Sequence, residues 1–306
     1  MIVDMSETSL RVEIYSQPDC WSAAADESGR YASRLPAPGE RVGVIGCGTS
    51  LYIARAYAFL REQAGQGATD AWPASEARLG RGYDRIVAIT RSGTTTEILA
   101  ALDQYRDGGG TAPVTIITAT ADSPVQSRGE AITLAEFDET SVVQTRFATS
   151  ALALLRAHLG EDLTTVIGQA KEILAAPQAE QERSLAGVRA AGQITFVGMG
   201  LGAALAEEAA LKLREATQSW AESYHATEYR HGPISIAQPG RAVWAFGPLV
   251  PGFESDVAAT GAHLEHGDID PMAELVRVHL LCLLRAADLS LDPASPRNLT
   301  RAVILG

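Results

Sequence analysis

The 306-residue sequence lacks the features that would place it in several large protein classes. Its three cysteines, Cys20, Cys47 and Cys282, are scattered and give neither a disulfide framework nor the Cys-x-x-Cys spacing of a metal site. It has no run of about 18 apolar residues that could span a membrane, and its polar, acidic N-terminus does not resemble a signal peptide. We therefore expect a cytoplasmic protein with no membrane partner.

Positive charge is also scarce, since 25 lysines and arginines face 37 aspartates and glutamates and the net charge is −12. No basic stripe is present to neutralise a nucleic-acid backbone, so we expect no nucleic-acid partner. A small phosphorylated ligand is compatible with this charge, because a few local hydrogen-bond donors would hold it.

Complete cofactor and metal motifs are absent as well. GCGTS (46–50) and GMGLG (198–202) each follow a strand-like run, but neither continues to Gly-x-Gly-x-x-Gly, so we expect no dinucleotide cofactor. His263 and His266 flank Glu265 without a further ligand at a convincing spacing, so we expect no bound metal ion.

Strand-like and helix-like runs alternate along the chain, which predicts an α/β fold with parallel sheets covered by helices on both faces. The length suits two domains of about 150 residues each. We expect a helical lead-in over 1–30, a first domain over 31–176 and a second over 177–306. The predicted strands are 41–46, 85–90, 113–118, 130–134, 193–198 and 242–247, and the predicted helices are 49–64, 95–106, 141–159, 162–175, 178–190, 203–220 and 272–287.

A hydroxyl-rich turn follows the strand at 85–90 and leads into a helix. Ligands bind at the carboxyl ends of strands in open α/β sheets, and hydroxyls, backbone N–H groups and a helix N-terminus suit a phosphate monoester. The turn lacks the Gly-x-x-x-x-Gly-Lys-[Ser/Thr] of a nucleotide P-loop, so it predicts a cradle for a sugar phosphate. Its hydroxyls belong to Thr90, Ser92, Thr94 and Thr95.

Two further hydroxyls, Thr49 and Ser50, follow the strand at 41–46. They either face the same pocket as Ser92 or cap the helix that starts near residue 50. We interpret Cys47, which lies between two glycines, as a small buried residue rather than a nucleophile.

Ionisable residues are dense over 210–235, at a helix end and in the loop beyond it. Lys212 and Glu215 are three residues apart and share a helix face. The helix dipole disfavours a carboxylate near the C-terminus, so Glu215 is unusual as a structural residue and suitable as a base. A surface salt-bridge network is the alternative. His231 precedes Gly-Pro, a turn that could present the imidazole rigidly, but a lone histidine is as often structural.

These motifs together resemble the tandem sugar-isomerase (SIS) domain family, represented by the isomerase region of glucosamine-6-phosphate synthase. The resemblance implies two SIS lobes, each a flavodoxin-like parallel sheet flanked by helices, and a homodimer. The matching segments occur in the right order over nearly the whole chain and are EIYSQP, GCGTS, ITRSGTTTEIL, AALKLREATQSWAESYHATEYRHGPIS and PRNLTRAVIL.

The resemblance implies that the phosphate is held at the two strand ends described above. Arg91, where the family has glutamine, could add charge to this grip, and Val142 lies where a backbone contact to the sugar is expected. The implied phosphate-binding residues are Cys47, Gly48, Thr49, Ser50, Thr90, Arg91, Ser92 and Thr95, with Thr90 replacing the usual serine.

The catalytic residues that the resemblance implies are Glu215, His231, Lys212 and Arg301. Glu215 would move a proton between C1 and C2 of the sugar, and His231, contributed by the neighbouring subunit, would assist ring opening. Lys212 or Arg301 would stabilise the developing oxyanion or pair with Glu215.

The sequence departs from the family in three respects. No glutaminase domain precedes the SIS region, so ammonia derived from glutamine is not expected. Arg301 replaces the lysine that forms a Schiff base with the ketose, and a guanidinium cannot readily form that imine. The segment 248–271 between the last strand and the last helix is short, so we expect the second lobe to be shortened by part or all of a strand–helix unit.

These residues favour an isomerase or isomerising deaminase that acts on a 6-phosphorylated sugar or amino sugar through an enediol or enolamine. A deglycase of glycated amino-acid 6-phosphates fits the same residues almost as well. A non-catalytic sugar-phosphate sensor is the alternative of a different class. Arg301 and the short second lobe favour the sensor, whereas the presence of both Glu215 and His231 disfavours it.

Overall fold

The computed structural model describes residues 8–305, and its strands form two parallel sheets. The first sheet contains β1 (Val42–Gly46), β2 (Thr69–Pro73), β3 (Arg85–Ile89), β4 (Val114–Thr118) and β5 (Glu130–Thr133). The second contains β6 (Ile194–Gly198), β7 (Ala221–His225), β8 (Ala242–Phe246) and β9 (His263–His266).

Helices flank both sheets, as the alternation of elements predicts. Within residues 8–305, none of them combines the length and the apolar character needed to span a membrane. In chain order they are α1 (Ser9–Asp26), α2 (Ser28–Tyr31), α3 (Thr49–Gln63), α4 (Thr96–Asp107), α5 (Arg146–His158), α6 (Thr164–Ala175), α7 (Gln178–Ser184), α8 (Ala186–Ala190), α9 (Leu201–Thr217), α10 (Ala226–Tyr229), α11 (Phe253–Thr260) and α12 (Pro271–Asp288).

The strand order places a crevice at one edge of each sheet. The first sheet has the order β2-β1-β3-β4-β5, so the chain leaves β1 toward one side and β3 toward the other. Such a reversal opens a crevice at the carboxyl ends of the two central strands. The second sheet, β7-β6-β8-β9, has the same arrangement with one strand fewer. Two flavodoxin-like lobes with a shortened second lobe are therefore confirmed.

The central strands form the core of each lobe. Every residue of β1, β4, β6 and β8 is buried. Helices cover both faces of a parallel sheet, so these strands need no polar face and read as continuous apolar runs. This is why the expected central strands β1, β3, β4, β6 and β8 are present; the sixth expected strand, β5, is also present, at an edge of its sheet.

Three strands were missed by the sequence analysis, and all three lie at sheet edges. They are β2, β7 and β9, with the sequences TDAWP, AESYH and HLEH. An edge strand is half-exposed and tolerates polar residues and proline, so its sequence lacks the apolar run that identifies a central strand.

The long helix expected from residue 141 begins at Arg146 instead. Glu139 Oε1 accepts a hydrogen bond of 2.8 Å from the Arg146 N–H. This contact supplies an acceptor for one of the unpaired N–H groups of the first turn of α5. The residues just before Arg146 are therefore loop.

The helix predicted to reach residue 220 ends at Thr217. Gln218 adopts left-handed backbone angles, with φ 53°, which stops the helix. Residues 218–220 connect α9 to β7. The stretch expected as one helix over 178–190 is divided into α7 and α8.

By packing, the chain forms two compact units. Among the described residues, the four-stranded unit comprises 8–18, Thr140–Thr145 and Thr164–Leu299. The five-stranded unit comprises Asp19–Glu139, Arg146–Leu163 and residues 300–305. Each unit contains one of the two sheets and one group of the candidate site residues.

Candidate functional site

In the five-stranded unit, two loops leave neighbouring strands at the same edge of the sheet. Strands β1 and β3 are parallel and adjacent, with Ile45 aligned with Ala88. The loop after β1 leads into α3, and residues 90–95 lead from β3 into α4. Because parallel strands end at the same edge, the N-termini of both helices lie there.

The loop after β1 depends on a glycine. Gly48 is the N-cap residue of α3 and has φ 54° and ψ −127°, a conformation that residues with a side chain rarely adopt. Thr49 and Ser50 form the first turn of α3 and are 3% and 4% exposed. Because Gly48 occupies the capping position, neither hydroxyl caps the helix, and the capping interpretation is wrong. Their assignment to the ligand pocket stays a prediction.

The loop after β3 is held in shape by its own hydroxyls. Thr90 Oγ1 accepts a hydrogen bond of 3.3 Å from the Gly93 N–H. Ser92 Oγ accepts hydrogen bonds from the N–H (3.2 Å) and the hydroxyl (3.0 Å) of Thr94. Ser92 therefore keeps its own hydroxyl proton as a donor. Thr95 is the N-cap residue of α4 and makes no side-chain capping bond. Residues 90–95 are called the cradle loop below.

Cys47 is half-buried and packs against the apolar core beside β1. Burial, together with the nearby carboxylate of Glu97, raises the pKa of its thiol to about 11. The thiol therefore stays protonated at neutral pH and is a poor nucleophile. This favours the interpretation of Cys47 as a packing residue.

Arg91, in the cradle loop, and Arg301 both contact residues 138–139 of the same unit. The side chain of Arg91 is 2% exposed, and its Nη1 lies 3.9 Å from Glu139 Oε2. Arg301 Nη2 lies 2.5 Å from Asp138 Oδ1, and the Arg301 guanidinium also donates to the carbonyl of Glu139. Sequence reasoning did not find these partners, because Arg301 is more than half the chain away from them.

Val142 belongs to the four-stranded unit, where its loop is fixed at two places. The Val142 N–H donates to the carbonyl of Ala294 at 2.9 Å. The carboxylate of Glu13, which is 3% exposed, accepts hydrogen bonds from the N–H groups of Thr140 (2.7 Å) and Ser141 (3.1 Å). Glu13 lies in the EIYSQP segment, and holding this loop is a role that sequence reasoning did not assign to it.

In the same unit, Lys212 lies between two carboxylates on α9. Its side chain is 1% exposed, its Nζ lies 3.5 Å from Glu208 Oε1, and it contacts Glu215 Oε2 directly. Lys212 and Glu215 thus share a helix face, as their spacing predicts. Sequence reasoning did not single out Glu208, although its spacing of four residues from Lys212 was a usable signal.

Glu215 is the more accessible of the two carboxylates, with 18% of its side chain exposed against 2% for Glu208. It borders a groove of about 430 Å³ that Arg214 and Arg297 also line. A carboxylate that reaches a groove while its cationic partner is buried is suited to take a proton from a bound ligand.

His231 lies in an exposed turn of the four-stranded unit. Its N–H donates to the carbonyl of Glu228 at 2.9 Å, and the next turn begins at Pro233. Within residues 8–305, no hydrogen bond or ion pair joins its imidazole to Lys212 or Glu215. Its accessible position leaves the ring open to a ligand or to another protomer.

Each of the two histidines on β9 contacts an oxygen atom of a nearby residue. His263 Nε2 lies 3.1 Å from Glu265 Oε2, and His266 Nε2 lies 2.9 Å from the carbonyl of Gly247. In the part of the chain that the structure describes, no group of three or more His, Cys, Asp or Glu side chains is arranged to hold a metal ion.

A buried histidine on α12 makes the stability of the fold depend on pH. His279 is 2% exposed, and its Nδ1 lies 3.2 Å from Gln17 Nε2. Burial and the positive charge of Lys212 lower the pKa of His279 from 6.5 to about 3. The folded protein thus keeps His279 neutral, whereas the unfolded chain protonates it below about pH 6.5. The unfolding free energy should therefore fall between pH 6.5 and pH 3, by about 1.4 kcal/mol per pH unit.

We expect the variant His279→Gln to flatten this acid-side loss of stability. Glutamine can accept a hydrogen bond from Gln17 without gaining a charge. Urea denaturation at a series of pH values between 7 and 4 measures the slope. His225→Gln, at an exposed position, is the matched control and should keep the wild-type slope. A wild-type slope in His279→Gln would contradict this explanation.

The SIS domain family model matches residues 37–159, the segment that contains both loops at the edge of the five-stranded sheet. Among curated proteins, the chain is 28% identical to a glutamine–fructose-6-phosphate aminotransferase (isomerizing) of Aeropyrum pernix and 26% identical to that of Vibrio cholerae. The alignments cover 95% and 96% of this chain but 56% and 58% of the relatives. The chain therefore spans about half the length of the curated relatives it matches.

Solved structures show the same architecture. Glucosamine-6-phosphate deaminase of Thermotoga maritima matches with a TM-score of 0.80 and 21% identity, over 97% of this chain and 100% of that one. Tagatose-6-phosphate ketose/aldose isomerase of Escherichia coli matches with a TM-score of 0.80 and 19% identity, over 98% of this chain and 97% of that one. At these identities the likeness shows a shared fold.

Proposed function

From the premise that this chain carries a SIS domain, we propose that it is a phosphosugar isomerase or isomerising deaminase. Its substrate is a 6-phosphorylated sugar or amino sugar, and the reaction transfers a proton between C1 and C2 through an enediol or enolamine. The relatives include an isomerising aminotransferase, a deaminase and a ketose/aldose isomerase, which supports this class of reaction.

The observation that carries the proposal is the pair of helix N-termini at one edge of the five-stranded sheet. Ser50, Ser92 and Thr95 carry hydroxyls there, and the positive ends of the α3 and α4 dipoles lie at the same edge. Hydroxyl and amide donors at helix N-termini, reinforced by the helix dipoles, favour a phosphate dianion. We assign the phosphate of the substrate to this position, with Thr90 shaping the loop beneath it.

Glu215 is the proposed base. It abstracts the C2 proton, which is acidic because it lies next to a carbonyl or iminium carbon, and returns it at C1. Access to the groove and contact with a buried ammonium support this role. A positioned general base contributes a factor of about 10²–10⁴ to the rate.

Lys212 and Glu208 are the buried charged residues next to the proposed base: Lys212 contacts Glu215 directly, and Glu208 pairs with Lys212. Before proton transfer, Lys212 lies between two carboxylates. When Glu215 takes up the proton it becomes neutral, and Glu208 then remains as the counter-charge of the ammonium. The cation is thus never left unpaired in a buried environment, where an unpaired charge is costly.

His231 is the proposed group for ring opening, and we infer that the neighbouring subunit of a homodimer contributes it. Its exposure in a turn supports this arrangement. An imidazole can donate and accept protons near neutral pH, which suits transfer between the ring oxygen and the C1 hydroxyl.

Deamination of an amino sugar phosphate suits this chain better than its synthesis. Transfer of the C2 proton of glucosamine 6-phosphate to C1 gives a C2 imine, and water hydrolyses that imine to ammonia and fructose 6-phosphate. This route needs no Schiff-base lysine, and Arg301 is present where the family has that lysine. A deglycase of a glycated amino-acid 6-phosphate would use the same proton transfer with a larger leaving amine.

Ammonia release from glucosamine 6-phosphate tests the proposal, with Ser92→Ala as the site variant. We expect the wild type to release ammonia and fructose 6-phosphate in equal amounts. Loss of a hydroxyl that bonds a charged phosphate should raise KM by about 10- to 100-fold. Ser127→Ala changes an exposed serine of the same unit and should behave as wild type.

The outcomes separate the candidate functions. Fructose 6-phosphate that binds at a Ser92-dependent site without any turnover of glucosamine 6-phosphate would favour a different phosphosugar substrate or a sensor. Absence of binding by either sugar phosphate would contradict the proposal.

A further inference from the structure

The C-terminal residues 300–305, called the tail below, contact the end of the cradle loop in the five-stranded unit. The N–H of Thr96, at the start of α4, donates to the carbonyl of Val303 at 3.2 Å. The N–H of Leu305 donates to the Thr96 hydroxyl at 3.0 Å. The tail is thus joined to the first residue of α4 by both a backbone and a side-chain contact.

The tail also contacts the start of the cradle loop. Arg91 Nη2 donates to the carbonyl of Arg301 at 3.0 Å. Arg91 and Thr96 lie on either side of Ser92 and Thr95, which carry proposed phosphate-binding hydroxyls. The tail therefore bridges the two ends of the loop that would hold the phosphate.

Polar contacts hold the tail in place, because its apolar side chains face solvent. Val303, Ile304 and Leu305 are 52%, 72% and 59% exposed. The side-chain anchor is Arg301, whose Nη2 lies 2.5 Å from Asp138 Oδ1 and whose guanidinium also donates to a backbone carbonyl.

Asp138, the partner of Arg301, is itself fixed by contacts with Arg146. Arg146, the first residue of α5, donates from Nε to the carbonyl of Asp138 at 2.9 Å. Its N–H donates to Glu139 Oε1 at 2.8 Å. Asp138 is therefore held against the start of a helix, which makes it a firm point of attachment for Arg301.

We propose that Arg301 and Asp138 are positioning residues that hold the tail across the cradle loop and thereby increase its affinity for the phosphate of the substrate. The inference rests on the proposed function, because it assumes that the cradle loop binds phosphate. It also gives Arg301 a role that needs no imine chemistry, since its guanidinium binds Asp138 and its carbonyl binds Arg91.

The physical reason is preorganisation. A cradle loop that is bridged at both ends is already ordered before the ligand arrives, so little conformational entropy is lost on binding. Without the Arg301–Asp138 pair, the tail loses its side-chain anchor and the loop must be ordered by the ligand. In Asp138→Asn the effect should appear in substrate affinity and KM, while kcat stays unchanged, because the pair acts equally on the ground state and the transition state.

The test compares Asp138→Asn, Arg301→Gln, the double variant and Arg301→Lys. Calorimetric titration with fructose 6-phosphate measures the affinity of each full-length protein. We expect either single change to weaken binding by about three- to tenfold. The double variant should be no weaker than the worse single variant, because both changes remove one interaction. Arg301→Lys keeps a cation opposite Asp138 and should retain most of the affinity.

Hydrogen exchange of the ligand-free proteins provides a readout that is independent of binding. The amides of residues 96–98 and 301–305 should exchange faster in Asp138→Asn and in Arg301→Gln than in the wild type. Asp103→Asn is the matched control, because it removes the 2.8 Å ion pair with Arg128 in the same unit. It should change neither the exchange nor the affinity.

Ser92→Ala distinguishes failure of this inference from failure of the proposed function. Wild-type binding by Ser92→Ala would overturn the phosphate assignment itself. Loss of binding in Ser92→Ala with wild-type binding in Asp138→Asn and Arg301→Gln would overturn only the role of the tail. Arg301→Gln and Asp138→Asn with additive effects would show that Arg301 acts on the ligand directly, which would also overturn it.

Discussion

Replacing Glu215 with glutamine should lower turnover of the phosphosugar by a factor of about 10²–10⁴. Glutamine has nearly the same shape as glutamate but cannot accept the C2 proton. Lys212 remains paired with Glu208 at 3.5 Å in the variant, so the fold should persist. Affinity for fructose 6-phosphate should be nearly unchanged, because the phosphate is assigned to the cradle loop. Steady-state kinetics and calorimetric titration measure the two quantities separately.

Glu207→Gln is the matched control for this prediction, because it changes a neighbouring carboxylate on the same helix α9. It should turn over at the wild-type rate. If Glu215→Gln also turned over at that rate, Glu215 would not be the base. A parallel loss of affinity and turnover would instead indicate a structural role.

Replacing Lys212 with methionine should have the largest effect on stability. The Lys212 side chain is 1% exposed and that of Glu208 is 2% exposed. Removing the cation leaves a buried carboxylate without its counter-charge, and breaking a buried ion pair in this way costs about 3–5 kcal/mol. Urea denaturation should show this fall in the free energy of unfolding, and catalysis should be lost as well.

The double variant Lys212→Met/Glu208→Gln tests the cause of that loss. It removes the uncompensated charge, so it should recover most of the lost stability while remaining inactive. Lys212 is one of two lysines in the chain, and Lys171→Met at the exposed second lysine is the control with wild-type stability. Equal stability of Lys212→Met and the wild type would show that the ion pair does not stabilise the fold.

Local signals in the sequence predicted the centre of each sheet. Strands such as β1 (VGVIG) and β4 (VTIIT) are continuous apolar runs, because helices cover both of their faces. The sequence HLEH of β9 has no such run, because β9 lies at an edge of its sheet, where polar residues are tolerated. Its pairing with β8 depends on contacts between distant segments, which a local pattern does not encode.

The contacts in the candidate site also fall into those that local spacing predicts and those between distant segments of the chain. The pairing of Lys212 with Glu215 follows from a helical spacing of three residues, and the structure has that contact. The partners of Arg301 could not be found from spacing, because Asp138 and Glu139 are more than 160 residues away along the chain. The resemblance assigned Arg301 to catalysis, and that role stays a prediction; in the structure its guanidinium contacts Asp138 and Glu139.

Deuterium incorporation from solvent tests the central claim most directly. The protein would be incubated with fructose 6-phosphate or glucosamine 6-phosphate in D₂O, and proton NMR would follow the signals at C1 and C2. We predict that the wild type exchanges a carbon-bound hydrogen at C1 or C2 with solvent and that Glu215→Gln does not. Binding of both sugar phosphates by the wild type without any exchange would contradict proton transfer between C1 and C2.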